Sequence, residues 1–181
     1  RKYCQYIRFG NYWDNSTSAR AQAQNIWDES CPRWFGTQQL GTASMDNGYG
    51  ITSDSSGNVY VTGRTNGGLD GNTNAGYDDL FVVKYNSSGV KQWTKQLGTS
   101  SSEWGNGITS DSSGNVYVTG STEGALDGNP NTGETDIFVV KYNSSGVKQW
   151  TQQFGTTSNE MGSDITSYSS GNVYVTGYTY G

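Results

Sequence analysis

The sequence predicts an all-β fold assembled from repeated four-stranded antiparallel units. Three observations carry that expectation. The string GNVYVTG begins at Gly57, Gly114 and Gly171, a spacing of 57 residues. FVVKYNSSGVKQ begins at Phe81 and again at Phe138 with the same spacing, and residues 37–92 match residues 94–149 at 42 of 56 positions. Within each period, four short apolar segments are separated by clusters of Gly, Ser, Asn and Asp. Similarity at a fixed period means one supersecondary unit used side by side.

The elements follow in order. A small, polar strand around Ile51 runs into Asp54-Ser-Ser-Gly-Asn58, a hairpin turn in which Gly supplies positive φ. From Asn58 to Gly63, Val59 and Val61 face one side and Tyr60 and Thr62 the other. After a long loop, Phe81, Val83 and Tyr85 alternate with Val82 and Lys84. The NSSG turn then leads to a fourth strand through Trp93 and Leu97. Four antiparallel strands every 40–60 residues describe a β-propeller blade, whose two faces both pack on neighbours. That explains apolar side chains on both sides of the strands.

Composition agrees and excludes several classes. Only 28 of the 181 residues are Leu, Ile, Val or Phe, below the roughly 20% under which chains tend toward disorder. A formal charge of only −5 and an aromatic content of 13% argue the other way, because Tyr and Trp bury large areas without raising the aliphatic count. The acidic balance argues against nucleic acid as a partner. No stretch approaches the ~20 apolar residues of a membrane span. With no His in the chain, every mechanism that needs an imidazole is excluded. The absence of an initial Met and of a leader-like segment suggests a processed chain or a piece of one.

The runs G-x-x-I-T-S-D-S-S-G-N-V-Y-V-T-G and D-[LI]-F-V-V-K-Y-N-S-S-G-V-K-Q-W resemble the bacterial β-propeller repeat family called SBBP, similar in layout to NHL blades. The resemblance covers about residues 34–181. It implies extracytoplasmic or surface-displayed bacterial proteins with roles in adhesion or carbohydrate contact. Two departures stand out: Tyr168 replaces the Asp found at Asp54 and Asp111, and the third repeat reaches only its second strand.

Counting strands gives a closing-type strand near residues 35–41 plus a first blade (34–98), a second blade (99–155) and an incomplete third (156–181). That is eleven strands, about 2.75 blades, whereas rings close with ~4 or more. The expectation is therefore an open array, or a ring completed by further repeats or by other copies of the chain through blade-edge pairing. Residues 1–33 stand apart, rich in aromatics (Tyr3, Tyr6, Phe9, Tyr12, Trp13), with a short helix expected over Ala19 to Trp27. They read either as a cap over an exposed blade or as a docking segment. Cys4 and Cys31 match no metal spacing; in a secreted protein they form one disulfide, in a cytosolic one two free thiols.

The loop carrying Asp70, Asn72 and Asn74 recurs as Asp127, Asn129 and Asn131. Oxygen-bearing residues at alternate positions suit Ca²⁺, although the pattern lacks a bidentate Glu and also fits an ordinary Asn/Gly turn cluster. Asp54 and Asp111 sit where Asp caps a turn. A paired-carboxylate enzyme is disfavoured, since the carboxylates at Asp46, Glu103 and Glu160 repeat with the blade whereas an active site is built once. Trp104 stands where the neighbouring repeats have Asn47 and Met161; it reads as a ligand-stacking residue or as blade-edge packing. Trp93 and Trp150 repeat and are expected in the core. Asn15, Asn86 and Asn143 begin N-x-[ST] tripeptides, the last two inside tight turns. The expectation is a non-enzymatic binding or adhesion module, secreted or displayed on the cell surface, contacting a surface protein or a glycan through repeated loops. The alternative is a self-assembling protein forming oligomers or filaments.

Overall fold

Every Asp-Ser-Ser-Gly-Asn stretch reverses the chain by the same device, and the sheets follow from it. Asp54 Oδ1 accepts from the backbone N–H of Ser56 at 2.9 Å and of Asn58 at 3.0 Å. Gly57, Gly114 and Gly171 take φ of 77°, 74° and 83°, a left-handed backbone that costs an L side chain about 1–2 kcal/mol. Where Tyr168 replaces the Asp, the backbone bonds of the turn persist, Tyr168 N–H to Asn172 O and Gly171 N–H to Tyr168 O, both at 2.9 Å. The backbone alone closes the turn, and the Asp reinforces it.

The computed structural model describes residues 7–9, 37–168 and 171–180. Strands β3 (Asp46–Ser53), β4 (Val59–Thr65), β5 (Asp79–Tyr85) and β6 (Lys91–Leu97) form one antiparallel sheet in sequence order. Strands β7 (Glu103–Ser110), β8 (Val116–Thr122), β9 (Asp136–Tyr142) and β10 (Lys148–Phe154) repeat it, and β11 (Asn159–Ser167) pairs with β12 (Val173–Tyr180) as a hairpin. The strand expected near residues 35–41 is present as β2 (Gln38–Leu40), which lies parallel to β1 (Ile7–Phe9). From β2 to β12 the described residues contain the expected eleven strands. The segments expected for Cys4, Cys31, Asn15 and the Ala19–Trp27 helix lie outside the described residues.

Two-sided burial organises the sheets. On one face of the first blade, Val59, Val61, Phe81, Val83 and Tyr85 cluster under Leu69 and Leu40. On the other, Tyr60, Leu80 and Val82 meet Ile108, Val116, Val118, Phe138, Val140 and Tyr142 of the second blade. The second blade repeats this against the third, where Tyr117 and Val139 meet Ile165. Val82, Val118 and Phe138 are fully buried, each contributing about 1.5–3 kcal/mol of transfer free energy. Blade-to-blade distance is set by glycine: a Cβ on Gly107 would stand 2.7 Å from Asp164 Cα.

Backbone bonds also tie successive blades. Glu103 N–H donates to Asp78 O at 2.7 Å, Tyr77 N–H to Ser101 O at 3.1 Å, and Glu160 N–H to Thr135 O at 2.8 Å. Each blade thus has two ends. The turn end holds the Asp-Ser-Ser-Gly-Asn and Asn-Ser-Ser-Gly turns; the loop end holds the long loops and the links between blades. No helix among the described residues is long and apolar enough to cross a membrane.

Candidate binding surface

Every repeated carboxylate at the loop end is committed to the scaffold. Glu103 is fully buried; it accepts from Thr99 N–H and Thr99 Oγ1 at 2.7 Å each and from Thr122 Oγ1 at 2.9 Å. Asp46 does the same with Thr42 N–H and Thr65 Oγ1, both 2.5 Å. Glu160 does so with Thr156 N–H at 2.9 Å and Thr179 Oγ1 at 2.9 Å. Burial raises the Glu103 pKa above the usual carboxylate range despite its hydrogen bonds, whereas the Thr156 donors hold Glu160 below it.

The loop expected to carry a cation is built around Asp70 and Asp127 in left-handed backbone, φ 52° and 54°. Asp70 pairs with Lys91 and accepts from Thr94 Oγ1; Asp127 pairs with Lys148 and accepts from Thr151 Oγ1. The asparagines turn inward: Asn72 Nδ2 donates to Leu69 O at 2.7 Å, Asn129 Nδ2 to Leu126 O at 2.8 Å, and Asn74 and Asn131 to the Gly76 and Gly133 carbonyls. Gln96 stitches the loop to the fourth strand, accepting from Leu69 N–H at 3.0 Å and donating to Gly67 O and Asp79 Oδ2. Among the described residues, no group of three or more His, Cys, Asp or Glu is gathered as metal ligands.

At the turn end, Asp54 Oδ2 also accepts from Asn58 Nδ2 at 2.7 Å and Tyr60 Oη at 2.9 Å, and Asp111 repeats both bonds with Asn115 and Tyr117. Burial opposes ionisation of both carboxyls, but the donors outweigh it and lower their pKa values. Burial and the Asp54 charge drive the Tyr60 phenol upward. Asn86 and Asn143 use Oδ1 to cap their turns, accepting from Val90 and Val147 N–H at 2.9 Å. Trp93 packs against the next blade and lies 6.1 Å from Tyr60. The expectation that both repeated tryptophans are core needs correction: Trp150 is 37% exposed, because the described third unit is the two-stranded β11–β12 hairpin and supplies no counterpart of the Ser144–Gly146 turn that lies against Trp93.

Trp104 lies half-buried at the junction of the first two blades, its Nε1–H donating to Asp78 Oδ2 at 3.3 Å. Arg64 bonds the same oxygen at 2.8 Å, and Asn66 Nδ2 donates to Asp78 Oδ1 at 3.1 Å. In the next junction, Ser121, Thr135 and Met161 occupy the places of Arg64, Asp78 and Trp104.

That contrast belongs to a larger pattern that the sequence shows only once its ends are mapped. Residues 37–92 and 94–149 differ at fourteen positions, and all fourteen lie toward the loop end. Residues 50–63 and 81–92, which include both turns, are identical to their counterparts. Between residues 99–124 and 156–181, six of eight differences fall at the loop end, with Asp164 in mid-strand and Tyr168 in the turn. Relaxed constraint on exposed positions does not explain this, because Ser55, Ser56, Ser88, Lys91 and Gln92 at the turn end are exposed and unchanged. Even Val90 and Val147, 57% and 56% exposed, are the same. The loop end displays Met45, Tyr49 and Tyr77, all about half exposed or more.

Two curated relatives align with most of the chain. An uncharacterized WD repeat-containing protein, L264, of Acanthamoeba polyphaga mimivirus is 26% identical over 87% of this chain. Regulatory protein FlaEY of Caulobacter vibrioides is 29% identical over 67% of it. The chain spans only 14% of the length of either relative. The SBBP family, described as a β-propeller repeat, matches residues 36–70, 92–126 and 149–181. The units matched at 92–126 and 149–181 each take the last strand of one blade with the first two strands of the next, so the sequence repeat straddles the blade boundary. With more than half of its residues matched and its blades stacked as that repeat requires, the chain belongs to the SBBP β-propeller repeat family.

Proposed function

We propose that this chain is a non-catalytic binding module, secreted or displayed on a cell surface, that holds a protein partner against its loop end. One observation carries the reading: the repeats keep their turn end and change their loop end, exposed aromatics included. A scaffold that varies one rim while holding the other constant offers a row of differing contacts in fixed geometry, and multiple contacts raise avidity. The resemblance to a WD repeat-containing protein supports the same role. The carboxylates bonded within each repeat give a catalytic reading nothing distinctive to use. Peptide and glycan arrays probed with the labelled chain test the proposal. Saturable binding to peptides is expected, weakened at least about tenfold by Tyr77→Ala with Trp104→Ala and unchanged by Val90→Ala with Val147→Ala. Glycan binding alone, or turnover of an array member, overturns it.

A second reading, assembly with other copies, is favoured by Trp150 and Phe154, exposed on a face that blade stacking covers elsewhere. Light scattering tests it: a monomer at high concentration refutes assembly. Calcium enters only as a structural ion, and it would have to displace Lys91 and Lys148 from Asp70 and Asp127. An unchanged melting temperature on adding Ca²⁺ or chelator removes it.

A further inference from the structure

Resting on the reading of the loop end as a binding surface, we infer that this end takes a basic polypeptide segment, whose Lys or Arg side chains seat between glutamates and tyrosines at the second blade junction. Charge points there first. The Arg64–Asp78 ion pair of the first junction becomes Ser121 and Thr135, while exposed Asn66 and Tyr77 become exposed Glu123 and Glu134. The second junction therefore holds two carboxylates where the first holds one paired with a guanidinium, and no salt bridge to either glutamate forms among the described residues. The described lysines sit elsewhere: Lys84 on the Ser144 carbonyl, Lys95 against the Gly146 turn, Lys141 over the Tyr117 ring, and Lys91 and Lys148 on Asp70 and Asp127.

Geometry brings the two glutamate-bearing segments together and links Glu134 to the strand partner of a tyrosine. Asn131 Nδ2 bridges Glu123 O at 3.4 Å and Gly133 O at 2.8 Å, holding the two glutamate-bearing segments together. Asn159 Nδ2 donates to Glu134 Oε2 at 3.2 Å, and Asn159 is the cross-strand partner of Tyr180. Tyr178 and Tyr180 stand edge to face with centroids 5.3 Å apart, 45% and 62% exposed. An exposed carboxylate attracts an ammonium or guanidinium group by charge, and an exposed tyrosine within reach of the same segment adds the pull of its ring quadrupole. An acidic chain meets like charge at the same place, which supplies discrimination.

The test measures fluorescence anisotropy of a labelled Lys-Ser repeat peptide, with Glu-Ser and Gly-Ser peptides of equal length beside it. Glu123→Gln with Glu134→Gln is expected to weaken Lys-Ser binding about tenfold, ~1.4 kcal/mol. Ser88→Lys with Ser145→Lys, which shifts net charge equally at the turn end, is expected to weaken it less than about twofold, since salt screens distant charges. All four positions are exposed, and circular dichroism checks that each variant folds. Equal weakening by the two pairs reduces the effect to bulk charge and overturns the inference. Equal or tighter binding of the Glu-Ser or Gly-Ser peptide, or no binding of Lys-Ser, overturns it as well. In those cases the array experiment still decides separately whether the loop end binds at all.

Discussion

The first and second blades are nearly the same sequence in two different surroundings, and the same residue types meet different fates. Ile51 is 59% exposed while its counterpart Ile108 is 6% exposed, seated against Tyr60 and Val82 of the blade before it. In the opposite direction, Trp93 is covered by the following blade, with Nε1–H 3.4 Å from Ser144 O, while Trp150 is exposed. Leu97 packs on the second blade; Phe154, its counterpart, is 54% exposed. Much of the burial in this fold is therefore made between sheets, and each blade's core depends on its neighbours.

The sharpest way to break that comparison is to truncate the paired isoleucines. Ile108→Ala should cost about 2–4 kcal/mol, a cavity in a packed interface, while Ile51→Ala should stay within about 0.5 kcal/mol. Urea unfolding of both variants decides it, and equal costs would mean that blades are stabilised individually.

Acid unfolding sharpens the contrast between the two ends. Asp54 and Asp111 have lowered pKa values, so their contribution is complete above the ordinary carboxylate value of ~4 and is lost as pH falls through the folded values. Glu103 runs the other way: its pKa is raised, so stability falls as pH climbs from the ordinary value through the raised one. Asp54→Asn with Asp111→Asn should flatten the acid side of the stability profile. Glu103→Gln should remove the loss on its upper side. Denaturant midpoints across that pH range measure both.

The smallest effect isolates one bond between blades. Lys84 and Lys141 both lie over a tyrosine ring, at 5.3 and 5.0 Å, but among the described residues Lys84 alone of the two also donates to a turn of the following blade, to Ser144 O at 3.0 Å. Lys84→Met should therefore cost about 0.5 kcal/mol more than Lys141→Met. Identical denaturation midpoints would show that this bond contributes nothing.

Much of the blade was legible because its signals are local. Period-2 alternation placed Val59 and Val61 opposite Tyr60, and Asp-Ser-Ser-Gly-Asn announced its turn through side-chain bonds two to four residues long. The loop of Asp70, Asn72 and Asn74 was legible as a repeated oxygen-rich turn. That its aspartate would be held by Lys91, twenty-one residues on, was not, because strand pairing brings those residues together. Trp104 stood out as the odd member of its column, yet its neighbours Arg64 and Asp78 come from other elements, which single-column reading misses.

By itself the sequence determined the repeat, its strands and its turns, since each depends on contacts within a few residues or on a fixed period. The tertiary structure alone decided which copies of a repeated residue are buried, because burial here is made by the next blade. It also decided that the scattered differences between repeats share one end. Antiparallel strands carry positions far apart in sequence to the same rim, and no linear reading brings them together.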